Sequence, residues 1–468
     1  MLAFMFPGQG SQRPGMGSAW VDQPSFEIAV EASKILDRDI PRLLIDAPGD
    51  ELKDTANAQI AMCVMSLIIL DAIERTGLSP TWCAGHSLGE YTALVASGYM
   101  SFEEGLQVVA ERGAAMQYAS ERHPGTMVAL IGISDEEADI ACRKADDDVW
   151  PANFNAPGQV AIAGSPEGIE KAIAYAKAMG ARKAIELQVS GAFHTPLMLD
   201  AKDRLRKALS QVRWNASEVP VVANVDAMEH SDPDEWPSLL SAQLINPVRW
   251  HQSLRTLGTA GANALIEVGP GGVLCGMARR VLPEQKVLPA GTPRDVGNLL
   301  EEIAGNDWVS TRVDRSQGEG LSISERVVVA PTGGIFQPRT DLATRIPGPG
   351  SALPRRRDAV GANMPLGEAL PSSVDSWNTA GVISTLPQRS SQRSSADHSG
   401  MDIQVGEEIG TVSGTPLRTP FEGRLIGFLV QPGERIVSGQ PVAWLRAGSS
   451  PTTSAQHLRS TARSATKL

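Results

Sequence analysis

Ser87 stands in GHSLG (85–89), with a glycine two residues away on either side, between the apolar stretch TWCAGHS and a helical run. Glycines at those places allow a sharp strand-to-helix turn that projects a hydroxyl, with the helix N-terminus behind it. A serine so placed is a candidate nucleophile, and the backbone N–H of the next residue, Leu88, can point at a developing oxyanion. Such a serine needs a base. Of seven histidines, His86 adjoins the serine but would point away from it on the turn. His123 and His251 follow helical segments, and His230, His398 and His457 lie in polar loops. His194, in VSGAFHTPLM, follows a strand and sits among small residues that permit close approach. Ser87 and His194 therefore read as nucleophile and general base.

A hydrolase triad would add a carboxylate to orient the imidazole. Asp146–Asp148 and Glu186 qualify by position alone, with no motif around them. A dyad oriented by a neutral acceptor is the other possibility, and Gln243 in SAQLINPVRW could supply that acceptor. Arg112, in AERGAAMQ, lies 25 residues beyond Ser87 on a helical stretch. If it faced a cleft and not solvent, its planar fork would hold a carboxylate through two parallel hydrogen bonds. The glycine-rich loop FPGQGSQ (6–12) lacks GxGxxG spacing and a Walker lysine, which argues against nucleotide binding. A backbone N–H from Gln9 completing an oxyanion hole with Leu88 suits it better.

These residues need a scaffold. LAFMF (2–6), TWCAGHS (81–87) and NALIEVGPGG (263–272) are apolar runs stopped by glycine-rich turns, as buried parallel strands of an α/β enzyme with loops at their C-terminal ends would be. Between about 124 and 190 the order β-α-β-β-α-β predicts a ferredoxin-like insert, and a cleft between it and the main unit is the natural ligand site. The apolar run Ile60–Ile73, 14 residues, is too short for a bilayer and reads as a buried core helix. The N-terminus has no basic region before its Pro-Gly break and does not read as a signal peptide. Four cysteines without CxxC spacing suggest a reduced, cytoplasmic protein with no structural metal.

Charge and composition divide the 468-residue chain. Net charge is −11, but residues 306–468 hold 17 basic and 14 acidic side chains, leaving −14 on residues 1–305. So acidic a part argues against nucleic acid as a partner, and the lack of a long apolar run argues against a membrane. Residues 306–323 read as linker, 339–402 (rich in Pro, Ser, Gly and Arg) as a disordered insert, and 447–468 as a disordered tail. Strand-like stretches flank the insert at 324–338 and 403–446.

FPGQGSQ, GHSLGEYTAL, RGAAMQ, NFNAPGQVAIAG, GAFHTPLM, QLINPVRW and EVGPGGVL together resemble, in order and spacing, the malonyl-CoA:acyl-carrier-protein transacylases. The resemblance spans residues 1–305. It implies an α/β-hydrolase-like main domain with a ferredoxin-like subdomain, Ser87 as nucleophile and His194 as base. It further implies an oxyanion hole from Gln9 and Leu88, a malonyl carboxylate on Arg112, and His194 held by the backbone carbonyl of Gln243. Implied partners are malonyl-CoA and acyl carrier protein, with ping-pong transfer to a phosphopantetheine thiol borne by the carrier and no cofactor on this chain. Phe193, before the histidine, resembles the residue that accompanies malonyl selection in related polyketide acyltransferases; sterically it would fill the space a 2-methyl branch needs. Alternatives are a same-fold transferase loading another carrier, such as the malonate decarboxylase carrier subunit, or a non-enzymatic scaffold. Residues 324–338 with 403–446 look like a small all-β, biotinyl/lipoyl-type barrel. Its carrier hairpin would fall in GTVSGTPLRTPFEG, yet no lysine occurs between Lys286 and Lys467, so an amide-linked prosthetic group has no attachment point there.

Overall fold

The three apolar runs that stop at glycine turns become neighbouring parallel strands. In the computed structural model Leu2–Phe6 pairs with Trp82–Gly85 on one side and with Ala264–Glu267 on the other. Lys286–Pro289 extends the sheet in parallel beyond Ala264–Glu267. Val221–Val222 and the antiparallel Glu229–His230 complete six strands at the opposite edge. All side chains of Leu2–Phe6 are buried, as strands covered on both faces require. The structure describes residues 1–75, 78–189, 191–304, 325–329, 334–343, 401–404, 406–419, 423–436 and 441–446.

The apolar run at 60–73 lies in a longer helix, Thr55–Glu74. Its 20 residues are long and apolar enough to cross a membrane, yet the side chains of Ile60 through Asp71 are all buried in the protein. Length was underestimated because TANAQ reads as polar, although Asp54 caps it by accepting the Asn57 N–H at 3.0 Å. The helix Phe102–Arg122 starts at a capping box: Ser101 accepts from Glu104 N–H while the Glu104 carboxylate accepts the Ser101 N–H. Its buried positions include Leu106, Val109, Arg112, Met116 and Ala119, spaced three or four apart. Arg112 thus occupies the core-facing stripe of an amphipathic helix.

Residues 126–186 follow the order strand, helix, strand, strand, helix, strand. The four strands form an antiparallel sheet in the order Val149–Ala156, Gln159–Gly164, Thr126–Ile131, Lys183–Glu186. This sheet is stitched to the segment before the helix Trp250–Ala260. Phe154 N–H donates to Val248 O at 2.9 Å, Val248 N–H donates to Ala152 O at 2.9 Å, and His251 Nε2 meets Asp135 Oδ2 at 2.6 Å.

The C-terminal strands form two four-stranded antiparallel sheets. One runs Glu325–Val329, Pro441–Arg446, Gly423–Phe428, Met401–Ile403; the other runs Thr415–Arg418, Glu408–Val412, Gly334–Pro338, Arg435–Ile436. Phe336, Ile409, Leu425, Val442 and Leu445 are among their shared buried residues. Two boundaries differ from the sequence reading. The expected insert at 339–402 begins with a short helix, Thr340–Ala343, and ends in a strand that starts at Met401. Residues 344–400, the expected linker 306–323 and the expected tail 447–468 lie outside the described residues.

Candidate active site

Strand Trp82–Gly85 and helix Leu88–Ala96 meet at Ser87, whose backbone sits at φ 52°, ψ −103°. A non-glycine residue held at positive φ stores roughly 1–3 kcal/mol and persists only where its surroundings enforce it. They do so here. A Cβ at Gly85 would lie 1.9 Å from the Gly89 carbonyl carbon, and one at Gly89 would lie 1.9 Å from Phe6 O. Asn224 braces the turn: its Oδ1 accepts Ser87 N–H at 2.8 Å and its Nδ2 donates to Gly85 O at 2.7 Å.

The turn delivers the hydroxyl to an imidazole. Ser87 Oγ is 2.7 Å from His194 Nε2, and His194 Nδ1 is 2.9 Å from Gln243 O. A carbonyl only accepts, so Nδ1 carries the proton and Nε2 is free to accept from Ser87. No carboxylate touches this imidazole among the described residues; Asp146–Asp148 sit on the loop before Val149–Ala156, and Glu186 pairs with Val128 in the small sheet. Burial and the neighbouring Arg112 charge push His194 down to about 3 against the opposing pull of the Gln243 carbonyl. It is a neutral base in the unliganded protein.

Arg112 is 1% exposed, and its hydrogen-bond partners are all neutral. Nη1 donates to Gln59 Oε1 at 2.7 Å, while Nη2 donates to Ser87 Oγ and Gln243 Oε1, both at 3.1 Å. The guanidinium also lies 5.0 Å from the Tyr91 ring centroid, within cation–π range. Among the described residues its buried Nε–H has no hydrogen-bond partner. A buried cation without a contacting counter-charge costs several kcal/mol, and an arriving carboxylate would offset that cost. Burial accordingly lowers its pKa from the ordinary value, with the nearby Glu90 charge opposing.

These groups open onto one cavity of about 260 Å³. Gln9, Leu88 and Phe193 line it together with Ser87, His194 and Arg112. Leu88 N–H belongs to the first helical turn, where amide donors have no intrahelical partner. Gln243 lies behind the cavity and meets the site through its carbonyl and amide. The chemistry open to this arrangement is acylation of a serine by a carboxylate-bearing acyl donor.

The structure adds four residues that the sequence reading did not assign. Gln59 and Asn224 are described above. Asn155 Oδ1 lies 2.8 Å from His86 Nε2, so the His86 ring is engaged by Asn155 while the Ser87 hydroxyl meets His194, and His86 also lines the cavity. Glu90, three residues after Ser87, is buried against Asn224 and Gln243. The signal for Gln59 was an amide at the start of the apolar run of its helix; for Asn155 it was membership of NFNAPGQ.

The acyl transferase domain family matches residues 3–305. The malonyl CoA-acyl carrier protein transacylase of Escherichia coli (strain K12) is 39% identical over 305 residues, covering 64% of this chain and 99% of that protein. Its counterpart in Bacillus subtilis (strain 168) is 36% identical, covering 64% of this chain and 97% of its own. Among solved structures, the acyl carrier protein S-malonyltransferase from Vibrio cholerae O1 biovar eltor superposes with TM-score 0.62 at 37% identity, over 64% of this chain and 99% of that one. A malonyl-transacylase in complex with its type II PKS acyl-carrier protein superposes with TM-score 0.63 at 36% identity, over 64% and 99%.

Proposed function

Since the chain belongs to the acyl transferase domain family, we propose that it moves a malonyl group from malonyl-CoA to acyl carrier protein through an ester on Ser87. It is an acyltransferase supplying fatty-acid or polyketide synthesis, and its partners are malonyl-CoA and acyl carrier protein. The observation that carries the substrate assignment is Arg112, buried beside the nucleophile with neutral partners only.

The proposed chemistry follows from the distances. Ser87 Oγ attacks the thioester carbonyl as its proton passes to His194 Nε2, 2.7 Å away. The oxyanion meets the backbone N–H groups of Leu88 and Gln9. Collapse expels the CoA thiolate, which takes the proton from His194. The carrier's phosphopantetheine thiol then gives its proton to His194 and attacks the ester carbonyl; the C–Oγ bond breaks, and His194 returns the proton to Ser87 Oγ. Burial, Arg112 and His86 all depress His194, and the malonyl carboxylate on Arg112 offsets the second of these, so the matching substrate strengthens the base it needs. Apart from the acyl-CoA donor and the carrier's thiol, each step uses only groups of this chain, and we assign it no cofactor.

We read residues 1–305 as an α/β-hydrolase-like domain carrying a ferredoxin-like subdomain. The C-terminal sheets we read as a biotinyl/lipoyl-like barrel without a carrier function. Its hairpin turns at Ser413–Gly414, between Glu408–Val412 and Thr415–Arg418, and carries no lysine. The family model matches residues 3–305 and 64% of this chain covers the relatives at nearly full length, so ending the chain at Gly305 is expected to change kcat/KM for malonyl transfer by less than about threefold, since an accessory unit contributes nothing to the transition state. Loss of transfer in a folded truncation would make the barrel part of the enzyme.

The functional test is transfer from malonyl-CoA to holo acyl carrier protein, read as malonylated carrier by mass spectrometry. Wild type should prefer malonyl- over methylmalonyl-CoA. Phe193→Ser should narrow that preference by about 10-fold or more, the scale of one methyl group in a packed pocket. Failure to malonylate the carrier would overturn the functional reading; an unaltered preference would remove Phe193 from it.

A further inference from the structure

Glu90 is the acceptor on which the site's two amide braces converge. It is the third residue of the helix that follows Ser87 and is 1% exposed. Oε1 accepts the Asn224 N–H at 2.9 Å, and Oε2 accepts from Gln243 Nε2 at 2.6 Å. Asn224 in turn holds Ser87 N–H and Gly85 O, which fixes the strained turn. Gln243 Nε2 also donates to Ser87 O at 2.7 Å, leaving its Oε1 to accept from Arg112 and its backbone carbonyl to accept from His194. The nucleophile, the base and the carboxylate-binding cation are all tied to this one carboxyl group through a single intervening residue.

We propose that Glu90 is a positioning residue for malonyl loading, fixing the Gln243 side-chain amide so that Arg112 is aimed at the carboxylate of the substrate on Ser87. The proposal rests on the malonyl-transfer reading of the site. The chemistry selects a carboxyl group: both oxygens face donors, an N–H and an amide NH₂. A glutamine there would turn its own NH₂ against one of them, and rotation of the Gln243 amide to relieve that clash would aim its NH₂ at Arg112. The charged groups facing Glu90 are Arg112 from the helix Phe102–Arg122 and Asp226 beyond Val221–Val222, with Tyr91 beside it on its own helix. Burial outweighs the hydrogen bonds and the Arg112 charge, raising Glu90 to about 7.

The test compares two reactions of Ser87 in the full chain. Malonylation by malonyl-CoA needs Arg112 and His194; sulfonylation by phenylmethylsulfonyl fluoride needs the Ser87–His194 pair and no carboxylate binding. In Glu90→Gln, malonylation should slow about tenfold or more with a raised KM, the cost of misplacing substrate-binding groups by a fraction of an ångström. Sulfonylation should fall by a smaller factor, because the Gln243 carbonyl is backbone. Glu90→Asp, which keeps the charge on a shorter arm, should fall between wild type and Glu90→Gln. A purely structural role would depress both reactions equally along with the melting temperature. Equal losses, wild-type malonylation in folded variants, or unfolding of both variants would each overturn the proposal. Wild type run alongside separates the two failures: if it takes no malonyl group, the functional reading fails instead.

Discussion

His194→Ala should slow acylation of Ser87 by about 10²–10⁴-fold, the range lost when a positioned general base is removed. The substitution takes away the acceptor 2.7 Å from Ser87 Oγ and leaves the Gln243 carbonyl without its donor. Asn224 and the Gly85–Gly89 contact still impose the turn, so the hydroxyl stays in place while its proton loses its acceptor. Single-turnover malonylation followed by intact mass measures the rate. The same imidazole should remain neutral far below the ordinary histidine range, because burial and Arg112 both disfavour the cation. Histidine ring signals assigned to His194 by comparison with the variant should therefore not titrate between pH 5 and 8 in unliganded protein. A midpoint near 6.5 would show that Arg112 and burial do not act on the ring as the geometry requires.

Arg112→Ala is expected to cost about 10²–10³-fold in malonyl loading, the scale of breaking a buried charge pair by removing one partner. The effect should be selective. In wild type a neutral acyl group such as acetyl leaves the buried guanidinium without a counter-charge, whereas malonyl supplies one. Removing the cation abolishes that difference, so acetyl loading should rise relative to malonyl loading, measured by competition between the two CoA esters. Arg112→Lys should recover little, since a point charge cannot present two parallel donors to one carboxylate. An unchanged malonyl-to-acetyl ratio in folded Arg112→Ala would contradict a carboxylate clamp.

GHSLG and GAFHTPLM signalled their chemistry directly because glycine and small residues are what tight turns and close approach demand, and Ser87 and His194 lie 2.7 Å apart across 107 residues. For Arg112 the sequence left open whether the side chain faced a cleft or solvent, and its place on the buried stripe of the helix comes from the structure. Glu90 was not, since an acid in the first turn of a helix reads as an ordinary partner of the helix dipole. Only burial against Asn224 and Gln243, 134 and 153 residues away, distinguishes it. Asn224 follows a strand of two residues, too short to leave a periodic signature. In the C-terminal part, Met401–Ile403 pairs with Gly423–Phe428, a contact that local composition could not reveal beside the Pro- and Ser-rich stretch.

The most direct measurement is the intact mass of the protein after brief exposure to malonyl-CoA, then after addition of holo acyl carrier protein. Wild type should gain one malonyl group and lose it to the carrier, and Ser87→Ala should gain none. A wild-type protein that takes no malonyl group, or a Ser87→Ala protein that still takes one, would contradict transfer through a Ser87 ester.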